Sequence, residues 1–337
     1  MTNETDESKF WQIVQSLGPL LALLLVTICF AVADQIWAYG AFTDVRNLRV
    51  VLVESSPVAV AGLGMTLIII AGGIDLSAGT AAMLCTTVLA ASLKAEYSIV
   101  LALAFTLIAA ASCGMANGLL VGLLNIPPFI VTLGTMTIFL GLGKQLASNS
   151  TISVSSELVP QWLFDLTSTK PPHVFWGWLP RIPSGVVLAL FIAALVAVLL
   201  RYSVLGRHIF AMGSNESTAR LCGVNILKTK LLVYVLGGLL IGIAGIYSFS
   251  LVKMASPSEG VGRELKFIAA VVIGGGSLSG GRGSVLGTLA GALMMGVITS
   301  GCAQLEITNA IQDIMIGCII IAAVTLDQLR VRRQEQR

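Results

Sequence analysis

Over 337 residues the chain is 56% hydrophobic and 11% charged, with a mean hydropathy of +0.91. Soluble domains carry about 25% charged residues, so this composition excludes a water-soluble enzyme. A formal charge of +3, scattered along the chain, gives no nucleic-acid surface.

The predicted fold is all-α: a polytopic transmembrane helix bundle of about ten spans, each needing about 20 apolar residues. The N-terminal stretch MTNETDESKFWQ is polar and acidic, unlike the basic start of a secretory signal, so the first span is expected to remain attached. Apolar runs place spans at 17–38, 50–71, 76–93, 99–124, 129–147, 185–200, 231–252, 267–277, 285–302 and 311–326. The run 267–277 is too short to cross a core of about 30 Å. It either borrows from its Gly-rich flanks or is a broken or re-entrant helix.

Six cysteines lie far apart, mostly inside apolar runs and without metal-ligand spacing, and read as small hydrophobes. His173 and His208 are separated by a run long enough to cross the bilayer, which disfavours a shared metal. The external loop 148–184 holds Trp162, Trp176 and Trp178, suited to an interfacial anchor or to a lip where a delivery partner docks. The loop 201–230 carries Arg201, Arg207, Arg220, Lys228 and Lys230 against Glu216 alone, and the tail from Arg330 is also basic. By the positive-inside rule both are cytoplasmic, and an even number of spans puts the N-terminus with them.

Two stretches resemble each other: GGIDLSAG at 72–79 and GGGSLSGG at 274–281. Glycines there permit sharp turns between packed helices, and both turns are expected on the cytoplasmic side. Gly276 to Gly281 has the outer spacing of a P-loop, but Arg282 and Gly283 stand where it needs Lys and Ser/Thr, so no nucleotide site is expected on this chain.

Asp75, beside a predicted helix start, reads as a structural N-terminal cap or as part of a gate or substrate path. Asn117, Asn125, Thr132 and Asn309 either line a polar route for a hydroxylated solute or serve as interhelical glue. Asp34, Glu54, Lys144, Glu306 and Asp313 fall near predicted span ends, where charge is cheap. No chain of mid-membrane acids emerges, which counts against an ion-coupled carrier. An intramembrane serine protease would need a Ser and a His on facing spans, but both histidines lie in loops. Within the basic loop, Gly213 to Asn225 reads as a polar turn and a short helix from Glu216 that stops at Gly223, suited to docking.

At GMTLIIIAGGIDLSAG (64–79), at 205–246 and at ELKFIAAVVIGGGSLSGGRGSVLGTLAGAL (264–293), the chain resembles the permease subunits of ribose-type ABC sugar importers. Their superfamily also includes branched-chain amino-acid permeases. The resemblance implies a single transmembrane permease domain over 1–337, without cofactor or chemistry of its own, in the bacterial inner membrane. It implies as partners two ATP-binding subunits, a periplasmic solute-binding protein and a second permease protomer, identical or not. The family's coupling-helix pattern is matched by Gly213, Asn215, Glu216, Arg220, Leu221 and Gly223, with Ser217 and Thr218 where the family has alanines. A sugar or sugar-like solute is the expected cargo, with an amino acid or another small polar solute as the alternative.

Overall fold

A computed structural model describes residues 3–38, 40–169 and 182–335. His173, Trp176 and Trp178 lie outside the described residues.

Helix α1 (Asn3–Trp37) is followed by α2 (Val45–Ile70), α3 (Ala78–Lys94), α4 (Ile99–Leu123) and α5 (Pro128–Leu146). Two-residue strand β1 (Ile152–Ser153) and short α6 (Gln161–Asp165) precede α7 (Ser184–Tyr202). Then come α8 (Val204–Ser214), α9 (Glu216–Leu221), α10 (Ile226–Val252), β2 (Met254–Ala255), α11 (Arg263–Ile273), α12 (Val285–Gln304) and α13 (Asn309–Glu335). Side chains set several of these starts. Asp44 accepts the amide of Arg46, Asn225 that of Lys228 and Ser284 that of Gly287, each satisfying a donor the helix cannot.

Every expected span finds a helix, but only seven among the described residues are long and apolar enough to cross a membrane alone. Ala78–Lys94 and the apolar part of α13, Asn309–Thr325, are shorter. The run expected at 267–277 becomes α11, shifted toward the N-terminus and not extended into its glycine flank. Its 11 residues reach about 16 Å, half of the hydrocarbon core.

The centre of the bundle is α2, with 83% of its apolar window buried, against 11% for α1. Apolar side chains on the outer faces, such as Ile36, Val100, Leu190 and Ile321, stand exposed as lipid contacts require. Helices α4 and α10 pack most extensively. A methyl group on Gly238 would lie 2.6 Å from the Ala110 carbonyl and 2.9 Å from Gly114, so both backbones meet over small residues. Hydroxyl bonds join other pairs: Thr66 to Thr288 at 2.6 Å between α2 and α12, and Thr86 to the Gly245 carbonyl at 2.9 Å between α3 and α10.

The connections sort to two ends. At one, β1 pairs antiparallel with β2, Ile152 opposite Ala255, and Ser300 donates to Asn47 at 2.7 Å. At the other lie α8, α9 and the turns 71–77, 124–127 and 274–284, linked by the contacts described below. Between the ends, the starts of α3 and α11 abut: a methyl on Gly79 would strike the Gly260 carbonyl and the Glu264 carboxylate. Each start has a buried acid nearby, Asp75 for α3 and Glu264 for α11, opposing the positive end of the helix dipole.

Candidate functional site

The loop after α7 folds into two helices, not one. Ser203 caps α8 by accepting the Gly206 amide at 2.9 Å, and Gly206, Ile209 and Met212 form its buried face. Sequence reading missed α8, although Leu205, Ile209 and Met212 recur at the i, i+4, i+7 spacing of an amphipathic helix.

Asn215 then caps α9, its Oδ1 accepting the Thr218 amide at 2.8 Å. Helix α9 ends where Gly223 takes φ 87°, the left-handed conformation that closes helix C-termini. The Val224 amide returns to the Ala219 carbonyl at 3.0 Å. Ala219 turns inward with Met212 and Ile226, while Leu221 is 89% exposed. Glu216 is held twice, by Arg220 at 3.3 Å and by Lys230 of α10 at 2.8 Å, so α9 is tied to the helix it precedes. Beside it a groove of about 340 Å³ is lined by Asn125, Arg220, Asn225 and Leu227 among others. Five of the six residues that match the family's coupling-helix pattern thus lie on or flank α9, and Gly213 lies in the last turn of α8 against the core.

Asp75, Asn117 and Thr132 are drawn together on one buried network. Asp75 Oδ1 accepts the Ser77 amide at 2.8 Å and the Ser77 hydroxyl at 2.6 Å. Asn117 of α4 donates to Ser77 Oγ at 2.9 Å and accepts from Thr135 of α5 at 2.7 Å. Thr132 donates to the Ile74 carbonyl at 3.2 Å. Ser77, not Asp75, occupies the N-cap position of α3, and Asp75 braces it from two residues earlier. Asp75, Asn117 and Thr132 are all at most 3% exposed, so the network fastens α3, α4 and α5. Ser77 and Thr135 belong to it and were not foreseen, because their partners are 40 and 18 residues away in sequence.

Asn125 and Asn309 stand apart. Asn125 sits exposed in the α4–α5 turn with φ 51°, on the wall of the groove beside α9. Asn309 is the exposed first residue of α13. Glu54 is a correction: α2 begins at Val45, so this acid lies in its third turn, half-buried, not at a span end.

Residues 47–324 match the family described as branched-chain amino acid transport system / permease component. The ribose import permease protein of Escherichia coli (strain K12) is 35% identical over 291 residues, 85% of this chain and 87% of that one. The ribose import permease protein of Bacillus subtilis (strain 168) is 33% identical over 328 residues, 97% of each. The fructose import permease protein of Rhizobium meliloti is 34% identical over 317 residues, 92% of this chain and 84% of its own. No solved structure matches. Seven apolar helices among the described residues make this a multi-pass membrane protein, and the match over most of its length makes it a transport subunit rather than an enzyme: the chain belongs to the branched-chain amino acid transport system / permease component family.

Proposed function

We propose that the chain is the pathway-forming permease subunit of an ATP-driven importer for a sugar, with both termini and α8–α9 on the cytoplasmic side. Separate ATP-binding subunits, an external solute-binding protein and a second permease protomer complete it. The observation that carries this reading is α9: a capped helix at one end of an otherwise apolar bundle, presenting the 89%-exposed Leu221 among basic residues. An apolar residue that exposed, outside the lipid-facing surface, suits an anchor buried in a partner. The relatives named for ribose and fructose support a sugar as cargo.

In this reading Asn117, Asp75 and Thr132 brace the bundle, and the solute passes along a face shared with the second protomer. Access alternates by rigid-body rocking driven from α9. The test is uptake of labelled ribose and fructose into vesicles holding this chain, its ATP-binding subunits and its binding protein. Uptake that needs ATP supports the reading; uptake driven by an ion gradient through this chain alone refutes it. The family's description favours one rival cargo, a branched-chain amino acid, and labelled leucine in the same vesicles decides between them. Replacing Glu216 and Arg220 together is expected to preserve the fold and ATP hydrolysis while abolishing uptake. Full uptake by that variant would remove α9 from the mechanism.

A further inference from the structure

The two glycine-rich turns that look alike in sequence meet in space, and they meet at the end of α8. The Gly281 amide donates to the Ile70 carbonyl at 2.9 Å, joining the turn after α11 to the end of α2. Gly213 lies against both: a methyl there would strike the Ile70 carbonyl and come within 2.7 Å of the Gly281 nitrogen. From the other side, a methyl on Gly280 would lie 2.6 Å from the Gly213 carbonyl and 3.0 Å from the Gly72 Cα. Gly280 and Gly281 have φ of 87° and 70°, which L side chains rarely adopt. One on Gly281 would also lie 2.6 Å from Ser214 Oγ.

Three separate stretches of main chain are therefore in direct contact with no side chain between them. Side chains absorb small displacements by changing rotamer, whereas touching backbones pass them on. We propose that Gly213, Gly280 and Gly281 form a positioning clasp through which the α8–α9 segment drives the α2–α3 and α11–α12 turns together. The proposal rests on the reading of α8–α9 as the ATPase-docking segment. The clasp holds the exit of α2 and the entry of α12 to one point. Because α3 and α11 also abut at Gly79 and Glu264, a push at α9 reaches both short helices at once.

The experiment uses the intact complex in lipid nanodiscs, read by hydrogen exchange without nucleotide and after trapping with ATP and vanadate. Peptides covering 66–79, 204–223 and 274–284 are expected to change protection together. A change in 204–223 while either turn keeps its protection overturns the clasp and spares the docking reading. No change in 204–223, with normal uptake by the Glu216 and Arg220 double variant, removes the docking reading and the clasp with it. A second arm is Gly280→Ala in the same complex, assayed with labelled ribose. ATP hydrolysis is expected to persist while uptake falls by about tenfold and stimulation of hydrolysis by the binding protein is lost. Unimpaired, binding-protein-stimulated uptake by Gly280→Ala would overturn the proposal.

Discussion

Asn117 and Thr288 make different demands on their surroundings, and the difference is measurable. Asn117 serves Ser77, Asp75 and Thr135 at once, so Asn117→Ala leaves buried polar groups without partners. That costs about 1–3 kcal/mol. Thr288→Val removes the bond to Thr66, which keeps its own bond to the Gly62 carbonyl, and a local contact with the Ser284 carbonyl of the same helix, and costs about 0.6 kcal/mol. Thermal unfolding in detergent is expected to rank Asn117→Ala well below Thr288→Val; equal midpoints would show that the network is not a brace. Leu221 is the opposite case. At 89% exposure, Leu221→Ala is expected to leave the melting temperature unchanged. If the ATP-binding subunit buries that side chain, the same change weakens their association by about 2 kcal/mol, or about thirtyfold. Titration of the labelled subunit onto the purified permease checks it.

Elements were legible in the sequence where one local rule sufficed. The long apolar runs marked the apolar parts of the helices, although α1 begins well upstream at Asn3 and α13 runs on to Glu335, and Gly223 marked the stop of α9 because the left-handed turn it permits is a local property. Helix α8 was missed because its apolar positions interleave with Arg207 and His208, which masks its apolar face. Half-helix α11 was flagged by length alone; its meeting with α3 depends on Gly79 and Glu264, 185 residues apart, and no local rule reports that. The polar network was legible only as residue types. Asn117, Asn125 and Asn309 look equivalent in sequence, yet only the first faces a partner strut. Glycines divide in the same way. Gly238→Val is expected to abolish the monodisperse protein in size-exclusion chromatography, since the backbone of Ala110 and Gly114 cannot give way. Gly134→Ala on α5 meets nothing within 4 Å and is expected to keep or raise the melting temperature, alanine being better in a helix by about 0.8–1.0 kcal/mol.

For the molecule as a whole, the end that carries α8 and α9 has an excess of positive charge. Arg201, Arg207, Arg220, Lys228 and Lys230 gather around α8 and α9, and Glu216 is already engaged by two of them. The face left over is positive, so its partner is expected to be acidic there. Raising the salt concentration should slow association of the ATP-binding subunit far more than it speeds release. Stopped-flow binding at low and high salt checks this, and salt-independent association rates would assign the docking to apolar contact alone.

The abutting starts of α3 and α11 carry a consequence for the cell. With Gly79 against Gly260 and Glu264, and with Asp75, Asn117 and Thr132 buried beside them, the described helices are tightly packed where α3 meets α11. If that packing closes the subunit on its own, a bacterium that makes it in excess of the proposed partners is expected to keep both its membrane voltage and its proton gradient.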